Sequence, residues 1–218
     1  ILTLPTAAFA AETLPYSASG LSLPAHYAVC FSVLLLFLCE ALFAADIRGS
    51  CTYAVFCRAR SLGVTNGAFL FGKCVIPFFC RALLLCGLGF AAARAGLLTL
   101  TVGAMLSGFA GLLLLNLFLC ALSAAASATQ LGAAIPCAMG GVCLFLCGGL
   151  LPLHLLPLRV ATIGAYSPFG AACGLFAPLL GGNFSPQASA TAVLYAAAAV
   201  LLAVRRLDRL VRNGGLTV

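Results

Sequence analysis

Runs of about twenty apolar, almost uncharged residues, separated by short charged or Pro/Gly-bearing breaks, constrain this chain more than any other feature. The first, 26–45, reads HYAVCFSVLLLFLCEALFAA and ends at Asp46 and Arg48. A helix crossing a hydrocarbon core about 30 Å thick needs ~20 such residues. Only 7% of the 218 residues are charged and 64% are hydrophobic, against about 25% charged in soluble domains. A soluble fold of this size could not hide that much apolar surface, so the expected solvent is membrane lipid.

Five spans are expected, at about 26–45, 73–93, 97–122, 131–151 and 188–204. Arg94, Ala95 and Gly96 make a hairpin turn between the second and third, and SAAASATQ makes the next. Residues 1–25, with three prolines and one acid, suit the tail of an extracytoplasmic loop, and the chain reads as the interior of a longer protein. Segment 46–72 carries Arg58, Arg60 and the RSLG turn, and is expected at the interface as an amphipathic surface helix followed by a turn.

Segment 152–182 is uncharged over most of its length and long enough to cross, but Pro157, Pro168 and Pro178 break it. Charge decides between five and six crossings. With five, Arg48, Arg58, Arg60, Lys73, Arg205, Arg206, Arg209 and Arg212 share one face, as the excess of Lys and Arg in cytoplasmic loops requires. The start of the chain is then external, the tail 213–218 is cytoplasmic, and 152–182 becomes one or two external re-entrant helices shielded by neighbouring protein. The expected fold is therefore an all-α membrane protein: about five transmembrane helices, a cytoplasmic surface helix and short external re-entrant helices.

The net charge of +7 sits beside apolar runs and not on an aromatic-bearing soluble surface, which excludes nucleic acid as the expected partner. Most of the twelve cysteines, among them Cys30, Cys39, Cys80, Cys86, Cys120 and Cys143, fall inside apolar runs and read as small packing residues. No CxxC or Cys/His cluster has metal spacing, so no metal or cofactor is expected.

Catalytic residues are not expected either. The acids are Glu12, Glu40, Asp46 and Asp208, the histidines His26 and His154, and no HExxH, paired carboxylates or nucleophile elbow is present. GAFLFGKC, 67–74, matches a phosphate loop in form, but Cys74 replaces the magnesium-binding hydroxyl and bulky Phe69, Leu70 and Phe71 fill the loop. Lys73 reads instead as an interfacial ammonium snorkelling to headgroups.

Two charges lie well inside spans. Glu40 is roughly 8 Å above the cytoplasmic end of the first span and Arg81 roughly 12 Å above that of the second. An unpaired ion at such depth costs about 3 kcal/mol or more, so an intramembrane pair is expected. Gly103, Ser107 and Gly111 place small residues at every fourth position of the third span, a stripe that serves either packing within the bundle or dimerisation.

Taken in order, these features resemble the type-2 permeases of ATP-binding-cassette exporters, over 23–212. In that family an acid-plus-Arg cluster follows the second membrane helix, then come a cytoplasmic helix, an "rSLGvs" turn and a "GK" opening the third helix. The corresponding stretches here are Asp46-Ile-Arg48-Gly-Ser50, Arg60-Ser61-Leu62-Gly63-Val64-Thr65 and Gly72-Lys73. The family's "GG...lP" and later "Pl" or "Pf" match CGGLLPLHLLPLRVATIGAYSPFGAACGLF, 147–176, while Asp46 stands where the family more often has Glu.

The resemblance implies a bacterial cell-membrane permease lacking its first helix and most of its external domain, with no ATP-binding motif of its own. It implies a homo- or heterodimer of permeases forming the path and a separate ATPase engaging a coupling helix, here through Asp46, Arg48, Arg58, Arg60, Ser61, Leu62 and Gly63. The residues also admit a non-transporting structural or regulatory membrane protein. An ion-coupled transporter would carry an inverted repeat and midplane acids; no such repeat is visible, and Glu40 is off-centre.

Overall fold

The computed structural model describes residues 21–128, 134–150 and 156–212. Among them every regular element is helical. In chain order these are α1 (Leu23–Ser50), α2 (Tyr53–Ser61), α3 (Asn66–Arg94), α4 (Val102–Ala125), α5 (Ala134–Leu146), α6 (Leu158–Tyr166), α7 (Pro168–Phe176) and α8 (Pro186–Arg212), with 3-10 turns at Ala126–Ala128 and Ala177–Leu180.

Four of these, α1, α3, α4 and α8, are long and apolar enough to cross a membrane, and α6 with α7 makes a fifth if a bent pair is counted as one span. The protein is a membrane-embedded, multi-pass helical bundle. The fourth expected span is described only over 134–150, the segment after it only from 156, and the expected external loop 1–25 and tail 213–218 lie almost wholly outside the described residues.

Local chemistry sets the helix starts. Thr65, Thr101, Ser167 and Ser185 each accept, through the side-chain oxygen, the backbone N–H three residues on, at 3.2, 3.2, 3.0 and 3.3 Å. Such caps satisfy donors that a helix start leaves open. Pro168 and Pro186 follow two of the caps, where a missing N–H costs nothing.

Helix ends differ from the sequence expectation. α1 runs unbroken past Asp46 to Ser50, α3 begins at Asn66 and not Lys73, and α8 continues to Arg212. No proline or glycine pair intervenes, so the helices extend beyond the apolar runs. α5 closes at Gly148, whose φ of 75° lets Gly148 and Gly149 donate back to the Phe145 and Leu144 carbonyls at 3.2 and 2.9 Å.

The core forms between one stripe of α1 (Val29, Val33, Leu36, Phe37, Ile47), a broad face of α4 and the alanine row Ala196, Ala199, Ala203 of α8, all buried. Small residues let backbones approach where lipid gives no hydrophobic drive, and α4 with α8 is the most extensive helix pair. α7 is apolar on every side and buried from Phe169 to Phe176, as a helix without a polar face must be. It meets α6 at a bend of 73°.

That bend requires close packing. A Cβ at Gly164 would collide with the Leu146 carbonyl, and one at Gly170 with the Gly164 carbonyl. Tyr195, nine residues or roughly 13 Å into α8, donates to the Tyr166 carbonyl at 2.9 Å, so the bend reaches well into the bundle. From there α7 runs to the α3–α4 turn, where Thr99 N–H donates to the Leu179 carbonyl at 2.8 Å.

Candidate functional site

Two polar features stand out in this apolar bundle: a buried knot of side chains between α1, α3 and α4, and a charged end where α1, α2, α3 and α8 meet.

The knot centres on Glu40 of α1 and Arg81 of α3, both 0% exposed and joined as an ion pair through Glu40 Oε2 and Arg81 NH2. Ser123 of α4 donates to the other carboxylate oxygen, Oε1, at 2.5 Å. Arg81 NH1 donates to Asn116 Oδ1 and lies 3.7 Å from Cys120 Sγ. Asn116 in turn donates to the Cys74 carbonyl at 3.1 Å, in the turn of α3 whose ladder is broken by Pro77, a residue with no N–H. Arg81 Nε has no partner among the described residues.

Glu40 and Arg81 are thus brought together as an ion pair. Asn116 and Ser123 were not singled out from the sequence. The legible signal was Asn116, Cys120 and Ser123 at i, i+4 and i+7 in LLLLNLFLCALS, a polar line on one helix face that buried ions require.

The expected packing stripe divides. Ser107 donates to the Leu175 carbonyl at 2.6 Å, and a Cβ on Gly111 would come 2.9 Å from Leu175 Cβ. Gly103 has nothing within 4 Å of its would-be Cβ and lines a cavity instead. It is therefore not a packing position among the described residues; Gly108, whose Cβ would meet Leu179 at 2.7 Å, is one. The backbone of α4 faces α7 here, so only positions in the register of that face are pressed.

At the charged end, Lys73 binds Asp46 at 3.3 Å, so the interfacial ammonium has a carboxylate partner. α2 turns Phe56 wholly inward against Phe69, ring centroids 5.1 Å apart. Arg58 and Arg60 remain exposed on it. Ser61 donates to the Arg58 carbonyl at 2.8 Å, Leu62 is 79% exposed, and Gly63 takes a φ of 80°, where any Cβ is strained. Arg48 is exposed at the end of α1. Burial pushes the Cys51 thiol, between α1 and α2, up to about 11, so it stays protonated and unreactive.

Of the twelve cysteines seven are buried, whereas Cys80 and Cys86 face outward on α3. Among the described residues no group of three His, Cys, Asp or Glu could hold a metal.

A cavity of about 910 Å³ opens between α4, α8 and the end of α7. Thr99, Thr101, Ser107, Asn183 and Ser189 line it beside Leu106, Phe184 and Val193, with no ionisable side chain among the lining residues. A second, about 330 Å³, lies between α1 and α3 and is almost wholly apolar.

No protein-family model, no curated protein and no solved structure matches the chain.

Proposed function

We propose that this chain is the membrane-spanning permease subunit of an ATP-driven exporter, working as a homo- or heterodimer with a separate ATPase. What carries the reading is α2: a nine-residue helix between two spanning helices, anchored by Phe56 and presenting Arg58 and Arg60 outward. A bundle held only by packing has no need of such an element. The order of motifs around it, and their resemblance to type-2 permeases, supply the class of partner.

In this reading the charged end is cytoplasmic and α6 with α7 is the external re-entrant pair. The transported solute is hydrophobic or amphipathic and uncharged where it meets the cavity between α4 and α8, whose lining offers hydroxyls and one amide but no ion. The chain supplies no catalytic residue; ATP closes partner domains, and α2 receives the movement.

Complete burial of the Glu40–Arg81 pair favours a second reading, a non-transporting scaffold, because a path for solute would wet these charges. Co-purification from native membranes separates the two. The exporter carries a stoichiometric ATPase, and reversing charge at Arg58 and Arg60 uncouples ATP hydrolysis from transport. A wild-type chain that brings down no ATPase rules the exporter out.

A further inference from the structure

By chain connection alone, a push on α2 would move its neighbours α1 and α3. Its side chains are tied to a different helix. Asp208, in the last turns of α8, accepts from Asn66 Nδ2 at 2.6 Å across 142 residues of chain. Arg60 NH1 of α2 lies 3.9 Å from the same Asp208 oxygen and donates to Asn66 Oδ1 at 3.5 Å. The three side chains close a triangle joining the end of α2, the start of α3 and α8.

Helices α2 and α8 also touch beneath the triangle. Phe56 and Leu207, the residue beside Asp208, are both fully buried. The local sequence of α8, RRLDRLVR, adds an independent point. Asp208 is the sole acid of α8, and it faces Asn66 and Arg60.

We infer that Asp208 is a positioning residue that passes displacement of α2 to α8, and through the α8–α4 interface to the cavity between those helices. This rests on the reading of α2 as the ATPase contact. A carboxylate serves where an amide would do less, because it accepts from Asn66 and attracts the Arg60 guanidinium at once.

The test uses the full chain in lipid nanodiscs, with whatever ATPase accompanies it. Asp208→Ala removes both ties, and Asp208→Asn keeps an acceptor for Asn66 while losing the charge. Amide exchange over α2 should quicken roughly tenfold in Asp208→Ala and less in Asp208→Asn, with α4 and α7 unchanged. Transport per ATP hydrolysed should fall about tenfold in Asp208→Ala while hydrolysis continues, a split that simple loss of stability does not produce. Exchanging the charges, Arg60→Asp with Asp208→Arg, should restore part of the protection of α2 against exchange. Unchanged α2 exchange in Asp208→Ala, or wild-type transport per ATP, overturns the inference. If the wild type carries no ATPase, the exporter reading falls, and the tie between α2 and α8 stands or falls on the exchange result alone.

Discussion

Ser123 of α4 donates to the carboxylate oxygen of Glu40 that Arg81 leaves free, at 2.5 Å. The ion pair between α1 and α3 is therefore closed by a third helix, and the three are held in one register. Removing Glu40 strands a guanidinium, and removing Arg81 strands a carboxylate, each with no water to replace the partner. Glu40→Gln and Arg81→Gln should each cost about 3–5 kcal/mol, and the double variant much less than their sum. A double-mutant cycle in detergent unfolding measures this. An interaction energy near zero would mean that each residue meets water or solute instead.

Asn116 bridges Arg81 and the Cys74 carbonyl beside the proline break. Asn116→Leu keeps the volume and removes both contacts. The expected loss is about 1–2 kcal/mol, the range of interhelical hydrogen bonds in membranes, and smaller than that of Arg81→Gln. Thermal unfolding in detergent reads it directly.

The two ends of the small-residue stripe should respond differently. Gly111→Val pushes into Leu175 and should destabilise the bundle by about 1–3 kcal/mol. Gly103→Val, with open space around it, should change monomer stability by less than about 0.5 kcal/mol. Should Gly103→Val instead abolish dimers seen by light scattering, Gly103 faces the second copy.

Gly63 ends α2 with Gly63 and Val64 donating to the Arg60 and Ala59 carbonyls at 2.9 and 3.2 Å. Gly63→Ala must hold a Cβ at positive φ, a cost of about 1–2 kcal/mol. Exchange over 53–65 should quicken while α4 stays protected.

Sidedness is tested by an impermeant maleimide in a cysteine-free background. Asn183→Cys should label only from outside and Arg58→Cys only from the cytoplasm. Labelling of both from one side would break the five-span arrangement.

The membrane as solvent was legible in the sequence, because burying long apolar runs is a one-dimensional requirement: length and hydropathy alone decide which stretches a bilayer accepts. The Glu40–Arg81 partnership was legible for the same reason, since an ion deep in such a run needs an opposite charge at equal depth. Helix starts at Thr65, Thr101 and Ser167 are local chemistry written in three or four residues. Register between distant helices is not. Only the tertiary structure decided that Asn116 and Ser123 complete the knot, that Gly108 and not Gly103 is pressed against Leu179 in the turn after α7, and that Asp208 reaches Asn66. Each depends on the rotation of a helix about its own axis. In lipid that rotation is set by backbone approach and by the last unsatisfied hydrogen bond, neither of which hydropathy records.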